Sequence, residues 1–191
     1  MHSTAQRIVD EALAELPGCP RPLAAAALRD TLRDFLRRSQ VLRVDLTAID
    51  IVADDYTYTL TLPAGYDGFA VYRPTLVLLN GAEQRAGIDY RMQDRTTLQL
   101  RDTPTAADTG GLEVTVSLAM DDEDTADLTD IEDWYPVIAA GMKSRLMIAP
   151  GKPWSNPAAA AVYRHEYNDG LGKAISHALT DGMGVPQRLS M

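Results

Sequence analysis

The apolar residues of this chain change their spacing twice. Ile8, Val9, Ala12, Leu13 and Leu16, then Leu28, Leu32, Phe35 and Leu36, recur every third or fourth position, the period of one face of a helix. From about Val41 to Met120 the period falls to two, most plainly in Leu112, Val114, Val116 and Leu118, which is strand spacing. Beyond Asp130 the helical period returns. Helices at both ends and strands between them predict an α+β fold: a four-helix bundle-like domain built from both chain ends, with an inserted antiparallel β-rich segment, sandwich or barrel-like. The boundaries that follow are 1–43 for the N-terminal helices, 44–120 for the β segment, 121–133 for an acidic hinge and 134–191 for a C-terminal helical pair and tail.

Local signals place the elements. Ser3 is expected to cap a first helix reaching Leu16, which "PGCPRP" breaks, because proline removes a donor and restricts the residue before it. A second helix is expected from Pro22 to Ser39. "YTYTLTLP" (Tyr56 to Pro63) alternates aromatic or aliphatic residues with Thr, as half-buried strands do. "FAVYRPTLVLLNG" reads as a strand pair or one bent strand ending in an Asn80-Gly81 turn. "DYRMQDRTTLQLRD" reads as a hairpin turning near Gln93 to Thr96, and five or six strands are expected in all. The third helix should run from Asp130 to Ala149. The fourth should run from Asn156 to Asp181, with Asn156 as cap and Pro157 at its first position.

Little in the chain resembles catalytic chemistry. "HEYND" opens like a zinc-protease helix, but Asp169 stands where the second His is needed. "NDGLGKA" lacks a phosphate loop's first Gly, with Tyr167 in its place, and its Ser or Thr, with Ala174 there. His165 and His177 are too far apart on one helix to share a metal, and His2 lies at the terminus. The acidic run "DDEDTADLTDIED" lacks the glycine and spacing of a calcium loop. Cys19 is the only cysteine, so no disulfide framework forms within the chain. No catalytic residue, metal ligand or cofactor site is predicted, and the expected answer to whether this is an enzyme is no. No apolar run approaches the roughly 20 residues of a membrane span, and "MHSTAQRIVDEAL" lacks the basic start and apolar stretch of a secretory signal.

Charge and size patterns point instead to partners. The net charge of −9 disfavours general affinity for nucleic acid. Arg29, Arg33 and Arg37 repeat at four-residue spacing on the second helix, where like charges cost a few tenths of a kcal/mol each and Asp30 and Asp34 offset only part. They form either a solvated face or a surface for an acidic partner, such as the acidic hinge of a neighbouring copy. Trp154 sits in "PGKPWSNP", between three prolines. It either fixes the angle between two helices or contacts a partner. The last helix combines Ala158 to Ala161 with Val162, Tyr163, Tyr167, Leu171, Ala174, Ile175, Ala178 and Leu179, and contains Gly170 and Gly172, each costing about 1 kcal/mol against Ala in a helix interior.

The segment "DWYPVIAAGMKSRLMIAPGKPWSNPAAAAVYRHEYNDGLGKA" resembles the C-terminal helical pair of phage head-to-tail adaptor (connector or neck) proteins, among them the tail tubular protein A family of short-tailed phages. The likeness is carried by the helix containing Gly141 to Leu146, the "PGKPWSNP" turn and the spacing of Ala159 and Tyr163. "AALRDTLRDFLRRSQVLR" resembles the family's early helix and "LVLLNG" its middle sheet, while Leu36 and Leu42 depart from the family's pattern. The resemblance implies a virion protein at the head-tail junction, made in the host cytoplasm. It would be a homo-oligomeric ring, usually of twelve copies, below the portal. The ring would hold the portal protein on one side and a downstream tail or nozzle protein on the other, and DNA would pass its lumen without specific binding. It also implies that contacts to the portal or a neighbour fall among Arg29, Arg33, Arg37, Trp154, Tyr163, Tyr167, Gln187, Arg188, Leu189 and Met191. Two other readings stay open. One is a small monomeric module binding carbohydrate or calcium through the β segment. The other is an enzyme using the carboxylates of Asp121, Asp122 and Asp124.

Overall fold

The computed structural model describes residues 4–121 and 128–181. The expected Ser3 cap, Asp122 and Asp124, and the tail with Gln187, Arg188, Leu189 and Met191 lie outside the described residues. The fold is mixed, with helices and antiparallel sheet. The chain divides into two compact units, one from Met1–Val41 and Leu128–Met191 and the other from Leu42–Asp127.

The first unit holds four α-helices: α1 (Thr4–Leu13), α2 (Arg21–Ser39), α3 (Tyr135–Met147) and α4 (Pro157–Asp181). Helix α1 stops three residues earlier than its apolar pattern. Residues 14–18 wind into tighter turns, with Leu16 N donating to Leu13 O at 3.1 Å and Cys19 N to Leu16 O at 3.0 Å. Leu16 stays in the core, buried with Ile8, Val9 and Ala12. All four residues of the α2 stripe, Leu28, Leu32, Phe35 and Leu36, are buried. Gln40 closes α2 in the left-handed region at φ 52°, its N–H donating to Leu36 O at 2.9 Å, a frequent way to satisfy a last carbonyl.

The third helix is corrected at its start. A 3-10 turn occupies Thr129–Trp134, interrupted by non-helical angles at Ile131, and α3 begins only at Tyr135. Pro136 explains the break, because proline fits the first turn of a helix and not its interior. Of the expected acidic hinge, residues 122–127 lie outside the described residues. Leu128 and Ile131 are buried, so its last residues are anchored while Asp130, Glu132 and Asp133 stay exposed. Asn156 caps α4 as expected, its Oδ1 accepting from Ala159 N at 3.1 Å.

The helices approach closely where side chains are missing. A Cβ placed on Gly141 of α3 would come within 2.6 Å of Thr31 in α2 and of Tyr167 in α4. One placed on Gly170 of α4 would come within 2.4 Å of Val137 in α3. Gly172 has nothing within 4 Å of such an atom and is exposed. Val162 and Leu179, placed with the apolar residues of α4 by sequence, are exposed at 58% each.

The second unit is antiparallel throughout its strands. Among the described residues eight form, more than the five or six expected: β1 (Arg43–Asp45), β2 (Ile49–Ile51), β3 (Thr57–Thr59), β4 (Phe69–Leu79), β5 (Ala82–Glu83), β6 (Tyr90–Met92), β7 (Thr97–Leu100) and β8 (Asp108–Met120). The first sheet runs β1-β8-β4-β5, with β2 also pairing β8; the second runs β3-β7-β6. The extra strands are only two or three residues long, too short to show a period. Strand β8 is the spine, with Leu112, Val114, Val116 and Leu118 all buried. The bend expected in "FAVYRPTLVLLNG" is produced by two bulges in β4, between Val71 and Arg73 and between Pro74 and Leu76. Hydroxyls mend the ladder there: Ser117 Oγ donates to Arg73 O at 3.1 Å and Thr75 Oγ1 to Thr115 O at 3.2 Å. Asn80 (φ 51°) and Gly81 (φ 76°) make the turn into β5, as a tight hairpin requires.

Gly170 and Gly172 should respond oppositely to alanine. At Gly170 the methyl meets stiff, branched Val137, and overpacking of about 1–3 kcal/mol outweighs the roughly 1 kcal/mol gained in helix propensity. At Gly172 only the gain of up to about 1 kcal/mol applies. Chemical denaturation of the two variants should give midpoints on either side of the wild-type value.

Candidate functional site

The residues singled out by sequence divide sharply once their surroundings are known. Tyr163 and Tyr167 both leave the exposed face of α4 and become parts of internal networks. Tyr163 OH donates to Glu15, which also accepts from the Lys143 ammonium. Lys143 lies 4.9 Å above the centre of the Tyr163 ring, within range of a cation–π interaction. Three helical segments are thereby interlocked: the turn after α1, α3 and α4. Lys143 and Tyr163 hydrogen bonding together holds the Glu15 carboxyl below its usual value, the lysine contributing more. The same bond to Glu15, followed by burial, pushes Tyr163 up to about 12.

One turn further along α4, Tyr167 is buried and its OH donates to Asp34 Oδ2 at 2.7 Å. Arg38 and Arg145 reach the same oxygen at 3.3 and 3.8 Å. Burial first, and the bond to Asp34 second, raise the Tyr167 phenol. Asp34 therefore does more than dilute the positive charge of α2; it joins α2 to α3 and α4.

The Arg29, Arg33, Arg37 row is not a uniform exposed stripe. Arg29 and Arg33 are half-buried and already engaged in interactions; Arg37 is exposed. Trp154 is buried, and its Nε1 has no hydrogen-bond partner among the described residues. Its turn is drawn tight by Asn156 N donating to Met147 O at 2.9 Å and Ser155 N donating to Lys152 O at 2.9 Å. Pro153 approaches to 3.6 Å of the Cβ position of Gly18, so this corner also touches the α1–α2 connection. An aromatic row that spacing does not reveal joins residues distant in sequence: Phe35 and His177 each lie 6.0 Å from the Trp134 ring.

Two clefts among the described residues offer places where something else can bind. The first, about 480 Å³, is lined by Lys143 and Tyr163 together with Arg7, Glu11, Glu132 and Glu166. Tyr163 in its wall is pushed up to about 12 by its bond to Glu15. Acid–base catalysis asks for the reverse, a group poised near the working pH. The second, about 430 Å³, lies in the β unit and is lined by Tyr56, Ile88, Arg91, Gln99 and Arg101 among others. Sequence reading did not single out these residues. Arg91 and Gln99 are a cross-strand pair, recognisable only once the hairpin register is known.

The residues considered for metals do not gather. His165 is exposed, Asp169 is paired with Lys173 at 2.8 Å, and the described residues contain no group of three or more His, Cys, Asp or Glu able to hold an ion. Among the described residues no helix is long and apolar enough to cross a membrane. No protein-family model matches the chain, and no curated protein matches it.

Two outcomes test this assignment of roles. Trp154→Ala should lower stability by about 3–5 kcal/mol, the usual range for emptying a buried aromatic site. Trp154→Phe should cost less, since it removes the unpartnered N–H as well. A Trp154→Ala variant as stable as wild type would return the residue to a partner surface. For Glu15, folding lowers the carboxyl pKa, so its stabilisation is present above the ordinary carboxylate pKa of about 4.3 and is lost as pH falls through the lower folded value. Glu15→Gln should therefore be less stable than wild type at pH 7, and the two should converge in acid, measured as denaturation midpoints across that range.

Proposed function

We propose that this chain is the subunit of a homo-oligomeric ring that joins a phage head to its tail, seated below the portal and extending the DNA channel. The fold that goes with this reading is a four-helix bundle-like domain from the two chain ends carrying a sandwich- or barrel-like β insertion. Twelve copies would surround the lumen, with the portal protein above and a tail or nozzle protein below. The adaptor-like segment from Asp133 to Ala174 supports the reading through its resemblance alone.

One structural observation carries most weight. The reactive-looking side chains of the helical unit are consumed in holding helices together: Lys143 and Tyr163 on Glu15, Tyr167, Arg38 and Arg145 on Asp34. A unit stiffened in this way suits a load-bearing ring better than a catalyst. The net charge of −9 supports a channel wall that repels the DNA phosphates.

A second reading draws on the β cleft. Tyr56, 45% exposed, beside the Arg91–Gln99 pair offers an aromatic platform next to planar hydrogen-bonding groups, which is a surface on which a carbohydrate can stack. In that reading the chain is a monomeric binding module.

Mass measurement in solution separates the two. The ring reading expects many-copy assemblies of the chain alone, or a monomer that assembles when a portal ring is added. A monomer that ignores the portal and binds a glycan would establish the second reading in its place.

A further inference from the structure

The β cleft carries a charge pattern at odds with the chain that contains it. The charged residues lining it are Arg91 and Arg101, and no carboxylate lines it, in a protein of net charge −9. Both arginines are held in place from one side only. Arg91 stands opposite Gln99 in the β6–β7 ladder, and its Nε donates to Gln99 Oε1 at 2.6 Å. Its two Nη groups have no partner among the described residues. Arg101 is anchored by its backbone, N–H donating to Asp89 O at 2.8 Å, and its Nη1 reaches Ile88 O at 3.4 Å.

The nearby carboxylate, that of Asp89, acts on Arg101 only through space and makes its hydrogen bonds elsewhere. Its Oδ2 accepts from both the backbone N and the Nε of Arg85, at 2.8 and 3.2 Å. The cleft thus presents two oriented guanidinium groups beside exposed apolar surface, Tyr56 at 45% and Ile88 at 48%. Oriented guanidinium groups fit carboxylates, which accept two parallel N–H bonds.

A matching surface exists on the same chain. Asp130, Glu132 and Asp133 are exposed on the 3-10 turn Thr129–Trp134, and none has an ion-pair partner among the described residues. The turn is anchored from beneath by buried Leu128 and Ile131, and Tyr135 OH donates to Leu128 O at 2.7 Å. Its carboxylates are therefore presented from a fixed backbone, which lowers the ordering cost of binding.

We propose that the β cleft of one copy receives the acidic 3-10 turn of a second copy, Arg91 and Arg101 taking the carboxylates of Asp130, Glu132 and Asp133. The two surfaces differ, so the contact is head-to-tail. Repeated contacts of this kind close into a ring when the rotation allows. The inference rests on the ring reading and names the contact that would build the ring.

Charge exchange in the full chain tests it. Association is followed by sedimentation velocity across concentration at low salt, where exposed charges act most strongly. Arg91→Glu with Arg101→Glu should shift association to at least about tenfold higher concentration. Asp130→Arg with Glu132→Arg and Asp133→Arg should do the same. An equal mixture of the two variants should associate in the wild-type range, since each supplies the surface the other needs. Far-ultraviolet circular dichroism and denaturation midpoints establish that both variants are folded.

Rings that form unchanged in both variants overturn this contact and leave the ring reading standing. Weakened association that mixing does not restore overturns it as well. A wild-type chain that stays monomeric at every concentration also overturns it, while the portal-mixing experiment still decides the ring reading independently. Glycan binding lost in Tyr56→Ala, with association unaffected by the arginine changes, assigns the cleft to carbohydrate.

Discussion

The β1–β8 ladder is the interaction on which the chain's organisation depends. Arg43, Val44 and Asp45 pair with Ser117, Val116 and Thr115, and Leu118 N donates to Leu42 O at 3.0 Å. The first and last strands of the β unit are therefore neighbours, and the chain leaves this unit close to where it came in. Without that ladder, closing the Tyr167–Asp34 bond means joining residues 133 positions apart. The logarithmic closure cost alone is then on the order of 4 kcal/mol. With it, much of that chain is already folded on itself before the helical halves meet. Thr115 Oγ1 also donates to Asp45 Oδ1 at 2.6 Å, a side-chain bond that reinforces the pairing.

Within the helical unit the same problem recurs at the scale of side chains. Gly141 and Gly170 let helices approach to distances at which a methyl would collide, so backbone proximity supplies dispersion that larger side chains would supply elsewhere. Close approach leaves little room for solvent around polar groups, and each of those present is matched. Thr31, fully buried, donates to Ala27 O at 2.7 Å, and Tyr167 finds Asp34. Trp154 Nε1 is the buried exception among the described side chains, and nothing in the structure explains it.

Sequence reading succeeded where the physical signal is local. The period of two from Leu112 to Leu118, the Asn80-Gly81 turn and the Asn156-Pro157 helix start each depend on residues within a few positions of one another. The hairpin near Gln93 belongs with them, since Asp94 Oδ1 accepts from Thr96 N at 2.8 Å. Sequence reading failed where the deciding partner is distant or the element is too short to have a period. Strands β1, β2 and β5 exist because β8 and β4 offer them an edge, not because their own residues demand it. Acidic residues suit a first turn and point to a start of α3 at Asp130, while Pro136 and the buried Ile131 decide the geometry. Tyr163 and Tyr167 stand out in the sequence, yet their partners Glu15 and Asp34 lie 148 and 133 residues away. Arg91 and Arg101 belong to no motif; hairpin register and turn geometry bring them into one cleft.

Charge is distributed unevenly within each unit. In the helical unit, cations find acids inside the same fold: Arg21 with Asp10 at 2.7 Å, Arg38 with Asp34, Lys143 with Glu15, Lys173 with Asp169. Exposed pairs of this kind contribute about 0–1 kcal/mol each, so their main consequence is to remove positive charge from the surface. Among what remains exposed are the acids on the turn after Leu128, and cations such as Arg37 and Arg164. In the β unit Arg85 takes Asp89, and no carboxylate lines the cleft that holds Arg91 and Arg101. The cleft is thus a small positive site in a chain of net charge −9. A chain with net repulsion between its copies needs such an oriented exception if those copies are to meet in one geometry and no other.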